Sequence, residues 1–442
     1  MGRRKTHAPL DVLINNRLVG RLEKEPGGAV TFQYAAEWLD WPSRFPISLS
    51  LPLRPAAWRG EAVVAVFDNL LPDSASVRKR VAEKTGAGGN DVFSLLEQIG
   101  RDCVGAMQFL PQGVEVDASG RMTGDLVADR EIEVLLDNLA RAPLGIDPDE
   151  GFRISVAGAQ EKTALLFDEG VWKRPSGTTP TTHILKPELG EIQMSWGTID
   201  LRHSVDNEHY CLALMGAFGL PVTQTQIATF GERRVLVVER FDRLRAQDGR
   251  LLRLPQEDLC QALSVPSSRK YQDKGGPGIT AVMDRLLESD DPTGDRALFF
   301  KSQILFWMIG ATDGHAKNFS LFLRPGGRFR LTPFYDVLSA QPAFDARQIP
   351  HKAFRLAMSA GNSGHYKIVD VHGRHFVESG KAAGLGSAII RQVLDEVIAD
   401  AATATDRARA VMPEDFHDEA YRSIEAVMPR RLRQLESAWD AL

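Results

Sequence analysis

The chain has little cysteine, no large excess of charge of either sign and no long apolar run. Its 442 residues include three cysteines, Cys103, Cys211 and Cys260, far apart and without a C-x-x-C pair. That spacing excludes a disulfide scaffold and a thiolate zinc knuckle, and it reads as three reduced thiols of a cytoplasmic protein. The longest strongly apolar stretch, residues 304–311, falls far short of the ~20 residues a membrane-spanning helix needs. No secretory apolar segment follows Arg3-Arg4-Lys5, and Met1-Gly2 with Thr6 fits the short myristoylation pattern only formally. Lysine and arginine number 53 against 58 acidic residues, a net charge of −5. Bulk charge therefore does not drive the chain onto nucleic acid, and only a local basic patch or a DNA-binding partner would bring it there. There is no internal repeat and no low-complexity segment. What remains, 43% hydrophobic and 25% charged residues, is the composition of a folded chain with room for two or three domains.

Periodicity changes along the chain. Residues 11–14, 19–24 and 30–34 read as a β-meander turning at Asn15-Asn16 and Pro26-Gly27-Gly28, where positive φ is available. The alternation at 47–51 predicts a half-buried strand. Helices are expected at 62–71, from the N-cap Ser74 to Gly86, and at 92–99 behind Asp91. A strand at 103–110, a loop at 112–124 and a helix at 130–141 follow. From 152 to 241 the texture is β: strands at 153–156, 162–167 and 182–186, a mobile loop at 188–198, an amphipathic helix at 204–218, and a hairpin of 225–230 with 235–239. Beyond 241 the chain reads as helical, with a long buried helix at 295–312 and three helices in the last ~75 residues. Three segments are expected: an N-terminal meander and helical subdomain (1–150), a second β part with a Gly turn and hinge (151–241), and a helical lobe (242–442).

Four pieces carry chemistry. Ser155-Val156-Ala157-Gly158-Ala159-Gln160 lies between two strands, and its small residues let backbone N–H groups approach an anion. Lys186 ends an apolar strand, where a kinase places the lysine that reaches nucleotide phosphates. Val237-Val238-Glu239-Arg240-Phe241 joins the β half to the helical half, as an adenine-binding hinge does. Asp313-Gly314-His315-Ala316-Lys317-Asn318 follows a buried helix, and Asp336 comes eighteen residues after Asn318. Phosphoryl transfer needs an acceptor for the substrate hydroxyl proton and oxygen ligands for Mg²⁺. D-x-x-x-x-N followed by a second aspartate supplies both. Each piece alone also fits a tight turn, a solvated strand end or a helix cap. Gln256-Glu257-Asp258 reads as a helix start whose Gln256 could touch the nucleotide. His372-Gly373-Arg374-His375 lacks an acidic third ligand, so no zinc site is read there.

At these positions the sequence resembles the HipA toxin kinases of bacterial toxin–antitoxin modules. The resemblance runs through Phe67-Asp68-Asn69-Leu70-Leu71-Pro72-Asp73-Ser74, Ile99-Gly100-Arg101-Asp102, and residues 152–163, 254–261, 310–320 and 332–336. The eukaryotic H-R-D and D-F-G motifs are absent, and Thr312-Asp313-Gly314-His315 and Tyr335-Asp336 stand in their places. The resemblance implies an α+β, protein-kinase-like fold of two lobes, β-rich then all-helical, that clasp ATP. It implies Asp313 as catalytic base and Asn318 and Asp336 as Mg²⁺ ligands. Lys186 would hold the phosphates, Glu239 and Phe241 would form the hinge, and Val156, Ala157, Gly158, Ala159, Gln160, Gln256, His315, Lys317 and Tyr335 would line the nucleotide. It implies autophosphorylation at Ser155 that switches the enzyme off. It further implies a glutamyl-tRNA synthetase substrate, persistence as the outcome, a HipB-like helix-turn-helix antitoxin, and operator DNA reached through that antitoxin. Pro187, directly after Lys186, departs from the pattern and loosens the substrate assignment. Two other readings stand beside this one: a lipid or small-molecule kinase, and a corepressor acting mainly in a DNA-bound complex.

Overall fold

The structure is a computed structural model, and it describes residues 7–114, 122–146, 154–158 and 160–441. Tertiary contacts divide the chain into two units, each discontinuous in sequence. The first comprises Met1–Pro187, Thr229–Ser268 and Leu321–Phe329, and the second comprises Glu188–Ala228, Arg269–Ser320 and Arg330–Leu442. None of the described helices is long and apolar enough to cross a membrane.

The first unit opens with the expected meander. Leu10–Ile14, Arg17–Lys24 and Val30–Tyr34 pair antiparallel, and Trp58–Arg59 and Met107–Pro111 complete a five-stranded sheet. Asn15 and Asn16 both adopt positive φ at the first turn, which asparagine tolerates better than most residues. Phe67, on the Glu61–Asp68 helix, packs at 5.6 Å from both Phe32 and Phe109 of this sheet. Ser74 and Asp91 cap their helices as read, accepting from the backbone N–H of Val77 and Ser94. A second sheet runs in the order Thr225–Phe230, Arg233–Glu239, His183–Pro187, Thr163–Asp168, Val171–Pro175, Gly124–Leu126.

A buried ionic cluster fixes the exit from that sheet. Asp102 meets Arg243 at 2.9 Å, Arg253 at 3.0 Å and Arg240 at 3.3 Å. Asp242 bridges Arg240 at 2.8 Å and accepts the N–H of Gly105. Thr181 donates both its N–H and its hydroxyl to Asp102. All five charged side chains are at most 5% exposed. Burial works against ionising Asp102, but the guanidiniums of Arg243, Arg253 and Arg240 outweigh it and hold its carboxyl well below the usual carboxylate range. Burial, with Arg240 alongside, pulls Arg243 down to about 10, still charged at neutral pH. Arg253 is also tied by its backbone to Asn15, whose side-chain amide both donates to it and accepts from it at 2.9 Å. The first hairpin turn is thereby anchored to the segment that follows the hinge.

The second unit is built on helices Ser204–Ala217, Pro292–Ile309, Gly373–Ala382, Ser387–Arg409 and Glu419–Glu436. In Pro292–Ile309, the Asp291 side chain caps the N-terminus, proline takes the first turn and Gly310, at φ +76°, ends the helix. Phe299, Phe300, Ile304, Leu305 and Trp307 of this helix are fully buried.

Several expectations change. Residues 47–51 form a buried turn, because side chains take their backbone groups. Tyr34 Oη accepts from Ile47 N–H and donates to the Leu51 carbonyl, and Glu257 accepts from Leu49 N–H. The loop expected at 188–198 is a hairpin of Gly190–Met194 with Gly197–Leu201. Glu191-Ile192-Gln193-Met194 and Thr198-Ile199-Asp200-Leu201 do alternate polar with apolar, and Ile199 is buried, but each alternation runs for only four residues between glycines. The Ser204–Ala217 helix is buried nearly all round rather than amphipathic. Gln256–Asp258 is a short strand, and Asp258 caps the helix Leu259–Ala262 after it. The second half is not all-helical: Arg243–Arg245, Leu251–Arg253, Ser320–Arg324, Arg328–Leu331, Arg355–Ala360 and His365–Lys367 are strands. The three final helices are present as read, and all three cysteines are buried and free.

Replacing Asp102 with asparagine leaves three guanidiniums short of a counter-charge. The expected cost is about 3–5 kcal/mol, read as a lower melting transition at pH 7. A carboxyl held below its unfolded value stabilises above that value and loses its contribution as pH falls. The gap between wild type and Asp102→Asn should therefore narrow below about pH 4, and a gap that widens on acidification would contradict the assignment.

Candidate active site

Each unit gathers its own share of the residues singled out in the sequence. In the first unit, His183–Pro187 and Arg233–Glu239 pair antiparallel, with Lys186 opposite Leu236 and His183 opposite Glu239. Lys186 and Glu239 are thus offset by three residues along adjacent strands, about 10 Å. Lys186 is 6% exposed, whereas Glu239 is exposed. Phe241 packs edge-on against Phe322 at 5.7 Å. Gln256 is buried against Gly105, where a Cβ would come within 2.8 Å of its carbonyl, and its Oε1 has no hydrogen-bond partner among the described residues.

The small-residue turn is anchored at both ends. Ser155 pairs parallel with Cys103, is fully buried, and donates its hydroxyl to the Leu70 carbonyl at 2.6 Å. Val156 is buried beside it. Gly158 bridges to Pro72 and accepts from Asp73 N–H at 3.0 Å. Its φ is +119°, and a Cβ there would lie 2.4 Å from Lys162 Nζ. The positive φ favours glycine at this position. Gln160 donates its side-chain amide to the Pro187 carbonyl at 3.0 Å, which fixes the end of the turn beside Lys186. Ala157 is half-buried. Ala159 and residues 152–153 lie outside the described residues. Glu161, just after the turn, engages Arg80 at 3.2 Å.

The second unit gathers the acidic and amide groups. Gly310 stops the long helix, and Asp313 follows in the extended chain with its side chain 55% exposed. Asn318 donates its side-chain amide to the Asp313 carbonyl at 2.7 Å, which leaves its Oδ1 as the acceptor end. His315, 3% exposed, donates its N–H to the same carbonyl and places Nε2 3.8 Å from Asp313 Oδ1. Lys317 is buried, and its carbonyl accepts from Tyr335 Oη at 3.1 Å. Tyr335 Oη also lies 2.6 Å from Ser320 Oγ, and Thr332 N–H donates to the Ser320 carbonyl. The approach to Asp336 therefore runs alongside residues 317–320. Asp336 adopts φ +58°, a left-handed conformation that costs a non-glycine residue of order 1 kcal/mol and is concentrated at functional sites. The Asn207 side chain then holds Ser339 by two 2.9 Å hydrogen bonds.

Three features escape sequence reasoning. Tyr271 donates its hydroxyl to Asp313 Oδ1 and packs edge-on to His315 at 4.8 Å. Lys162 lies buried beneath Gly158. Arg240, inside the hinge motif, turns into the ionic cluster. No spacing rule marks the first two. The third was signalled only by the density of charge at Arg240-Phe241-Asp242-Arg243.

Comparison with known proteins shows the family. The HipA N-terminal domain matches residues 10–110 and the HipA-like C-terminal domain matches residues 154–405. A putative kinase of Sinorhizobium fredii is 32% identical over 90% of this chain and 91% of its own. The serine/threonine-protein kinase toxin HipA of Shewanella oneidensis is 27% identical over 77% of each chain. The solved complex of Shewanella oneidensis HipA with HipB and its operator DNA contains a chain that superposes with a TM-score of 0.79 at 22% identity, covering 98% of this chain and 99% of that one. The chain belongs to the HipA family of kinases.

Proposed function

We propose that the chain is an ATP- and Mg²⁺-dependent serine/threonine protein kinase that serves as the toxin of a toxin–antitoxin module. The observation that carries this reading is the loop from Asp313 to Asn318, closed by the Asn318 amide on the Asp313 carbonyl and flanked by the left-handed Asp336. It offers one carboxylate open to solvent and an amide oxygen, and the approach to Asp336 runs alongside residues 317–320.

In this reading Asp313 accepts the proton of the substrate hydroxyl. Tyr271, donating to Oδ1, leaves Oδ2 for that hydroxyl. The amide oxygen of Asn318 and the carboxylate of Asp336 fit Mg²⁺, which prefers oxygen ligands of this kind. A bound Mg²⁺ would neutralise the phosphate charge and set the geometry of in-line transfer. In the first unit, Lys186 holds the phosphates, and Val156, Ala157, Gly158, Ala159 and Gln160 cover them. Glu239 and Phe241 meet the adenine, with Gln256 close by. His315, Lys317 and Tyr335 also contact the nucleotide. Ser155 is the autophosphorylation site. Its hydroxyl is buried on the Leu70 carbonyl, so the turn must leave its place before the phosphate is added, and a dianionic group cannot return to that pocket. The antitoxin is a HipB-like helix-turn-helix protein that carries the complex to operator DNA, and the target is a glutamyl-tRNA synthetase.

Radiolabelled ATP with the purified chain and Mg²⁺ tests the reading. Wild type should incorporate label, and Asp313→Asn should reduce the rate by about 10²–10⁴-fold, the scale of losing a general base. A variant that retains the wild-type rate removes Asp313 from the chemistry. Asp336→Asn should raise the Mg²⁺ concentration needed for half-maximal rate while the protein still melts as wild type. Tyr271→Phe loses one hydrogen bond to a charged group and should lower kcat roughly tenfold with KM for ATP unchanged. Ser155→Ala should abolish label on the chain and leave phosphorylation of an added substrate intact, as mass spectrometry would show.

A further inference from the structure

The second unit holds a cluster that the kinase reading does not use. His203, Asp206 and His417 each offer one ligand atom, and the three atoms lie within 4.8 Å of one another. We propose that these residues bind a single divalent transition-metal ion of the zinc type, separate from the Mg²⁺ of phosphoryl transfer.

The donor chemistry separates the two ions. Two imidazoles and a carboxylate suit Zn²⁺, Co²⁺ and Ni²⁺, whereas the amide and carboxylate oxygens of Asn318 and Asp336 suit Mg²⁺. The local fold sets the geometry. His203 and Asp206 stand three residues apart at the start of the Ser204–Ala217 helix, so both face the same side. His417 comes from the turn just before Glu419–Glu436. Its backbone N–H donates to Asp206 Oδ1 at 3.1 Å, and its Nδ1 lies 3.3 Å from Oδ2. The rings of His203 and His417 stack at 4.3 Å, inclined by 27°, so the two imidazoles stand side by side with their donor atoms near the carboxylate. The Asp206 side chain has no solvent exposure, while that of His417 is 47% exposed.

The open coordination positions have somewhere to face. A cavity of about 190 Å³, lined by His203, Ser204, Asn207, Ser339 and Glu419 among others, adjoins the cluster. It has room for the waters that complete a three-ligand site. An ion held here would link the Ser204–Ala217 helix to the turn that opens the Glu419–Glu436 helix. The same helix carries Asn207, which holds Ser339 three residues beyond Asp336.

Full-length protein stripped with a chelator and titrated with Co²⁺ and Zn²⁺ tests the site. One equivalent per chain should bind with Kd tighter than about 10 μM, or −7 kcal/mol. Co²⁺ should give an intense visible d–d band of low-coordinate geometry that excess Mg²⁺ does not displace. Zn²⁺ should raise the melting temperature. His417→Ala and His203→Ala remove partly exposed rings, so both variants should fold, and each should weaken binding at least about tenfold and erase the thermal shift. Absence of stoichiometric binding, or binding unchanged in both variants, would overturn the proposal. Failure of the kinase assay would not bear on it, because none of its readouts involves phosphoryl transfer.

Discussion

Five charges buried in one place set the geometry of the first unit. Arg240, Asp242, Arg243 and Arg253 come from one short stretch, Asp102 joins them from far upstream, and none is stable in that position without the others. An apolar cluster would also hold the segments together, but it would tolerate sliding. Guanidinium–carboxylate geometry does not, because each fork accepts a narrow range of directions. The cluster sits directly after Glu239, and the Asn15 side chain extends it to the first hairpin. The strand carrying Glu239, and with it the register that sets Lys186 opposite Leu236, is therefore held in place by electrostatics as well as by the sheet.

The second unit solves a different problem. Its acidic groups Asp313 and Asp336 are partly exposed, so burial does not fix them. Neighbouring backbone and hydroxyl groups hold them instead. The Asn318 amide closes the Asp313 loop, Tyr335 ties the approach to Asp336 to the carbonyl of Lys317, and Asn207 holds Ser339. Beneath them lies the buried helix Pro292–Ile309, a base with little freedom to move. Asp313 is half-exposed, yet nearly every group that positions it is not.

Much of this was legible in the residues. The meander, the caps at Ser74 and Asp91, the long buried helix and the three final helices follow from turn chemistry and periodicity. The loop from Asp313 to Asn318 stood out by residue type and spacing, and the structure closes it through the Asn318 amide on the Asp313 carbonyl. Where the sequence misled, tertiary context had overruled local pattern. The alternation at 47–51 was real, but the Tyr34 hydroxyl and the Glu257 carboxylate claimed the backbone groups a strand would have used. The Gly190–Met194 hairpin does alternate, but over four residues a strand and between glycines, which is too short a run to stand out. Tyr271 and the pair of His203 with His417 could not be found by spacing at all, since what joins them is proximity across distant segments.

Asp336 carries one more implication, through its backbone. At φ +58° the residue best suited to the conformation is glycine, with asparagine next. Either substitution relaxes strain or leaves it unchanged, while removing the carboxylate. Selection for thermal robustness alone would thus be drawn to this position and would reward the loss of the very group assigned to the metal. A directed-evolution library screened on solubility or heat tolerance should be expected to enrich inactive chains here, so that durability and turnover must be scored together.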